Sequence, residues 1–115
     1  MNSVIDSYQF GLVSISGKEY TSDVIIFPDR VRGDWWTKRG HQLCLEDIAE
    51  VITENPEVLI VGTGISGGMR VLPEVKQSVE ARGIKLIVET TDKACNTYNQ
   101  LCQSQRVVAA LHLTC

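Results

Sequence analysis

The chain has 115 residues, 43% of them hydrophobic and 22% charged, with 11 basic against 14 acidic side chains and a net charge of −3. That length and balance fit one globular domain, residues 1–115, and lack the basic excess that a nucleic-acid partner would demand. No apolar run approaches the roughly 20 residues of a membrane helix. Met1–Tyr8 has neither a basic leader nor an apolar signal core, so no membrane insertion and a cytoplasmic location are expected.

In chain order, Phe10–Ile15 and Glu19–Phe27 are rich in β-branched and aromatic residues, with Ser16-Gly17-Lys18 between them as the turn of a hairpin. Val24-Ile25-Ile26-Phe27 is continuously apolar, the pattern of a strand covered on both faces, and Pro28-Asp29 ends it. Arg30–Gly40 carries Trp35, Trp36 and five charges without a clean period, an irregular excursion. Adjacent side chains on extended backbone point to opposite faces, so the two tryptophans cannot both be buried easily.

From Leu43 the spacing turns helical. Leu45, Ile48, Ala49 and Ile52 form one stripe, Glu46 and Asp47 sit where the helix dipole favours acids, and Asn55-Pro56 stops the helix. Val58–Val61 is a short apolar strand, followed by the glycine-rich Gly62–Gly68. A helix starts near Pro73, which is tolerated in a first turn, and stops at Gly83-Ile84. Leu86–Val88 is the next strand, Thr90 or Thr91 caps a helix reaching about Gln103, and Val107–Leu113 is the last strand. Short apolar strands alternating with amphipathic helices imply parallel neighbours joined by right-handed crossovers. The fold class is α/β: a single three-layer domain whose mixed central sheet has parallel strands and crossover helices, with an N-terminal β-hairpin.

Cys44, Cys95, Cys102 and Cys115 lack Cys-x-x-Cys spacing, and His41 and His112 are far apart, so no metal site is indicated. The cysteines read as reduced thiols, Cys95 and Cys102 sharing one helix face as small buried hydrophobes. His41 and Cys44 are close enough in sequence to form a thiol–imidazole pair, but no third group is evident to orient it.

Gly62-Thr63-Gly64-Ile65-Ser66-Gly67 matches G-x-G-x-x-G after a strand, and Glu89 lies where a ribose-binding acid would belong. In a dinucleotide site, however, the loop runs straight into a helix whose amides meet the pyrophosphate. Here Pro73 places the helix start well beyond the last glycine, so an open turn is expected and no cofactor is assigned. Two readings of the loop remain. Its glycines can serve a sharp connection through positive φ, or Gly62, Thr63, Gly64, Ser66 and Gly67 can offer amides and hydroxyls to a small anion or a partner's carboxylate, with Arg70 the nearest cation and Arg39 or His41 adding charge. Without a P-loop lysine, nucleotide hydrolysis is not expected.

Trp36 followed by Gly40-His41, the Gly62-Thr63-Gly64 turn, Thr91–Leu101 (TDKACNTYNQL) and Arg106–Leu111 (RVVAAL) together resemble a family of small single-domain proteins. It includes the adipogenesis-associated domain protein and a mitochondrial assembly factor for respiratory complex I. The resemblance covers nearly the whole chain, and its C-terminal stretch is the specific part. It implies a compact three-layer fold with a mixed sheet and a binding or assembly role without established catalysis, and it transfers no catalytic residues. The organellar role does not follow, since no Arg-rich amphipathic leader is visible. Within the matching stretch, Ala94, Tyr98 and Leu101 are at helical spacing to pack on the sheet. Asn99 is a candidate to bond backbone near the glycine turn, the alternative being a solvated side chain. Trp36 beside Arg32, Lys38 and Arg39 has the composition of a protein-contact hot spot, the competing reading being that each tryptophan ring caps one end of the hairpin layer. The expected partner is therefore another protein, through Trp36 and the glycine loop. The competing readings are a small anion-binding protein or enzyme and, behind it, a nucleotide-cofactor oxidoreductase.

Overall fold

The computed structural model describes residues 3–115. Its centre is a five-stranded sheet whose strands, in spatial order, are Val31–Arg32 (β5), Val24–Ile26 (β4), Val107–His112 (β10), Val58–Thr63 (β7) and Lys85–Glu89 (β9). β7, β9 and β10 are parallel, while β4 runs antiparallel to β10 and pairs with the short β5. Every residue of β4, β7 and β10 is buried, as expected of strands covered on both faces, with Thr63 and His112 the polar residues at the ends of β7 and β10.

Two crossovers put helices on opposite faces. From β7 the chain passes through α2 (Pro73–Ala81) out to the edge strand β9. It then returns through α3 (Thr91–Leu101) past β7 to β10. Since right-handed crossovers in opposite directions must cover opposite faces, the core divides in two. On one face α3 supplies Ala94, Cys95 and Tyr98, with Cys102 just past its end, against Val58, Ile60, Ala109 and Leu111. On the other, Leu59, Val61, Val108 and Ala110 meet Val75 and Val79 of α2, Val51 of α1 (Ala49–Glu54), and Trp35.

The hairpin is β2 (Leu12–Ile15) with β3 (Lys18–Tyr20), and its turn residues Ser16 and Gly17 have φ of 48° and 83°, the double positive φ of a two-residue I′ hairpin turn. Its sheet has a third member that the sequence pattern did not predict, β1 (Ile5–Gln9), antiparallel to β2. Its alternation is masked by Asp6, Ser7 and Gln9 because only Ile5 is buried. The expected strand Glu19–Phe27 is two strands in two sheets. The break falls at Thr21–Asp23, where the Asp23 carboxylate reaches β10. Phe10, expected within a strand, lies in a turn and is exposed.

The helix from Leu43 opens as a 3₁₀ turn, Leu45–Ile48, before becoming α1. Asp47 turns back to accept from the Cys44 amide at 2.9 Å. Asn55, with φ of 52°, ends α1 in the left-handed conformation, consistent with the stop before Pro56. α2 ends in a Schellman motif: the Ile84 amide donates to the Val79 carbonyl and the Gly83 amide to that of Glu80, with Gly83 at φ +78°.

Candidate functional site

The carboxyl ends of β7, β9 and β10 open on one rim. In an open α/β sheet this is where ligands and partners are met, because neighbouring connections diverge to opposite faces there. His112 pairs in register with Thr63, and Gly62 with Glu89, so the strand ends set these residues side by side.

Main chain and hydroxyls suture this rim. The Thr63 hydroxyl donates to the Glu89 carbonyl at 3.0 Å, the Gly64 amide to the Thr91 hydroxyl at 2.8 Å, and the Thr91 hydroxyl to the His112 carbonyl at 2.6 Å. Thr91, fully buried, thus ties all three parallel strands at the end of the sheet. The Ile65 amide donates to the Thr114 carbonyl at 2.7 Å, and the Met69 amide to the Thr63 carbonyl at 2.9 Å. Ile65 and Ser66 are not helical, and α2 starts at Pro73, so the loop is the open turn expected from sequence.

The close packing explains the glycines. At Gly68 a Cβ would lie 1.9 Å from the Cys115 carbonyl oxygen, and at Gly64, where φ is +104°, 2.6 Å from the Cys115 carbonyl carbon. A Cβ at Gly62 would sit 2.9 Å from both Leu111 and the Thr91 hydroxyl. Thr114 and Cys115 therefore stand where side chains at Gly64 and Gly68 would project.

His41 and Arg70 come together through the short parallel pair β6 (Gln42–Leu43) with β8 (Arg70–Val71), where the Arg70 amide donates to the His41 carbonyl at 2.7 Å. Cys44 points away to the Asp47 carboxylate, so the thiol beside His41 is a different one: Cys115 Sγ lies 3.3 Å from His41 Nε2. The His41 ring meets the His112 ring edge-on at 5.4 Å between centroids. His112 in turn is held by Asp23, whose carboxylate accepts from its Nδ1 at 2.7 Å and from the Leu113 amide at 2.8 Å. Asp23, Thr91 and His112 were not among the site residues expected from sequence. The available signal was position alone: His112 ends an apolar strand, and Asp23 interrupts a β-rich run. The four cysteines form no disulfide among the described residues, and no cluster there has the makings of a metal site.

The tryptophan segment is hung on the same aspartate. The Trp35 amide donates to the Asp23 carbonyl at 3.1 Å, and the Trp35 ring enters the core with its Nε1 donating to the Asp47 carbonyl at 2.9 Å. Trp36 faces the other way and is 82% exposed. It lines a shallow cavity of 210 Å³ with Ser22, Arg32, Asp34 and Trp35. Lys38 pairs with Glu46, which holds the Lys38 ammonium above and the Glu46 carboxyl below their ordinary pKa values. Arg39 is exposed nearby.

Asn99 lies elsewhere. Its side chain accepts from the Ile5 amide at 2.9 Å and donates to the Ile5 carbonyl at 2.8 Å, so its amide docks β1 on α3 instead of bonding near the glycine turn. Tyr98, on the same helix, donates to the Ser3 carbonyl at 3.1 Å.

Three kinds of comparison bear on this arrangement. A crystal structure of a conserved hypothetical protein from Pyrococcus horikoshii is 34% identical and superposes with a TM-score of 0.88 over 96% of this chain and 98% of that one. A Xanthomonas campestris protein at 22% identity shares the fold, with a TM-score of 0.80 over 98% of this chain and 86% of that one. Among curated proteins, the mouse and human NADH dehydrogenase [ubiquinone] 1 alpha subcomplex assembly factor 3 are each 32% identical over 109 residues, 92% of this chain. The chain spans 57% and 58% of the length of those two relatives. A family model described as a protein of unknown function (DUF498/DUF598) matches residues 5–112, from the first strand of the hairpin sheet to His112 at the rim. With all the strands inside that match, the chain belongs to the DUF498/DUF598 family.

Proposed function

We propose that this chain is a protein-binding module of the assembly-factor type, whose contact surface is the tryptophan segment around Trp36 and Arg39 together with the rim formed by Gly62–Gly68, His41 and Arg70. The observation that carries the reading is the pair Trp35–Trp36. Trp35 is 2% exposed and hydrogen-bonded in the core, while its neighbour, on backbone fixed by that anchor, presents an indole that is 82% exposed. A large aromatic with two side-chain torsions on an anchored backbone loses little conformational freedom on binding and gains most of its burial at an interface. Arg32 and Arg39 beside it supply the charged company that such hot spots favour. Ile65, 46% exposed at the tip of the glycine loop, adds an apolar contact on the rim.

The names of the mouse and human relatives as assembly factors support a protein partner. The loop amides of Gly64, Ile65, Gly67 and Met69 already donate within the chain, which weighs against an anion as the natural occupant. No described helix is long and apolar enough to cross a membrane. A cytoplasmic location belongs to this reading, and a fluorescent fusion imaged in the native host tests it.

The deciding experiment is Trp36→Ala with quantitative mass spectrometry of partners cross-linked to the tagged chain in its native host. Loss of a central aromatic anchor costs about 2 kcal/mol or more, about a thirtyfold weakening. The specific partner should be lost while the melting temperature stays that of the parent chain, and Trp36→Phe should retain part of the signal. Equal recovery of the same partners by Trp36→Ala overturns the proposal.

A further inference from the structure

The two edges of the central sheet are treated differently. At one end β5 is only two residues long, and its surroundings are charged: Arg30 and Arg32 both pair with Glu50, at 3.0 and 2.9 Å, and Arg106 pairs with Glu54. Short length and charge are the usual means of blunting an edge. At the other end β9 is five residues, Lys85-Leu86-Ile87-Val88-Glu89, with an apolar centre and Val88 46% exposed. None of the blunting devices is present within its centre.

The backbone phase of β9 is set by its pairing with β7. The Lys85 amide donates to the Glu57 carbonyl at 3.0 Å, so in a parallel ladder Lys85, Ile87 and Glu89 address β7. Leu86 and Val88 then direct their amides and carbonyls outward. An antiparallel copy of the same strand, centred on Ile87, sets Leu86 opposite Val88 of the copy and Val88 opposite its Leu86. Both are hydrogen-bonded pairs, and four main-chain bonds form. The same register places Ile87 against Ile87 in the close, non-hydrogen-bonded position. It also places Lys85 opposite Glu89 of the copy, twice over by symmetry. The sequence K-L-I-V-E is thus charge-complementary to itself when reversed, and Leu86 of the copy covers the exposed face of Val88.

We propose that β9 is a self-association edge, at which a second copy of this chain pairs antiparallel about Ile87 to give a continuous ten-stranded sheet across a two-fold axis. This surface is separate from the Trp36 surface of the preceding section, and the two can fail independently.

The test is sedimentation velocity over a concentration series from low micromolar to near millimolar, with hydrogen exchange followed amide by amide. The chain should dimerise reversibly, and the Leu86 and Val88 amides should become protected as the dimer fills. Lys85→Glu sets like charges opposite each other at two places and should weaken the dimer about tenfold. The charge-swapped double variant, Lys85→Glu with Glu89→Lys, should recover it, with the melting temperature of each variant confirming the fold. A chain that stays monomeric throughout overturns the proposal. So does a dimer in which Leu86 and Val88 exchange freely or Lys85→Glu has no effect, and so does protection of this edge only by a different protein.

Discussion

A residue's meaning in this chain is set by what stands over it. The glycines of the rim are the clearest case, since their sequence pattern matches a phosphate-binding loop while their surroundings are Thr114 and Cys115. Gly64 combines positive φ with a blocked Cβ position, whereas Gly40, at φ +67°, has open space around its Cβ direction. Gly64→Ala should therefore destabilise by about 2–3 kcal/mol, and Gly40→Ala by only about 1 kcal/mol, the backbone component alone. Urea denaturation of the two variants checks this, and equal losses would mean that the tail does not press on the loop. The cysteines show the same dependence on surroundings. Cys115 is exposed beside His41, while Cys44 is buried against Asp47, and burial first and Asp47 second raise the Cys44 thiol above its ordinary value. Sequence spacing gave no sign of the thiol that does stand beside His41, because Cys115 arrives from 74 residues away.

At the scale of elements, local chemistry was a good guide wherever an element is defined by its own residues. The Ser16-Gly17 turn, the Asn55 and Gly83 stops and the Pro73 start were all legible, because each depends on backbone preferences within a few positions. β1 was not legible, since a strand with one buried residue has no alternation to read, and what secures it is distant. Asn99 of α3 clamps Ile5 through both its amide groups across 94 positions. Asn99→Ala should cost about 1–3 kcal/mol by leaving the Ile5 amide and carbonyl without that partner. The loss should show as faster hydrogen exchange in Ile5–Gln9, with cross-linking through Trp36 unchanged. If β1 keeps its protection in that variant, the clamp is not what docks the hairpin sheet on α3.

The whole molecule imposes its own behaviour on groups that share the core between α3 and the sheet. Burial, with a smaller contribution from the Asp92 carboxylate, pushes the Cys95 thiol from its ordinary 9.0 up to about 12. Burial likewise raises the Tyr98 hydroxyl above 10.0. Both groups are neutral when folded, so their contribution to stability is fully present below the unfolded values. As pH rises past 9, the unfolded chain gives up the Cys95 proton while the folded chain keeps it. Stability should then fall by about 1.4 kcal/mol per pH unit from this group until its folded pKa is reached, with Tyr98 adding in the same direction at higher pH. Urea midpoints measured from neutral to alkaline pH test this. Cys95→Ala should flatten the first part of the decline, and an unchanged slope in that variant would assign the loss to other groups.

The amino-acid sequence by itself determined the α/β class, the alternation of buried strands and amphipathic helices after Leu43, the open form of the glycine turn and the family resemblance. The first three are fixed by periodicity, by capping chemistry and by short-range backbone preference, all of which are local, and the resemblance rests on residue identities, chiefly those of Thr91–Leu101 and Arg106–Leu111. Only the tertiary structure decided that Glu19–Phe27 divides between two sheets, that Asp23 holds both His112 and the tryptophan segment, that Trp36 rather than Trp35 faces water, and that Thr114 and Cys115 fill the space above the glycines. Each of those outcomes joins residues far apart in the chain, and the physical reason is common to them. Which buried polar group finds which partner, and which of two adjacent side chains is covered, is settled by the order in which strands assemble into the sheet and by the face each crossover selects.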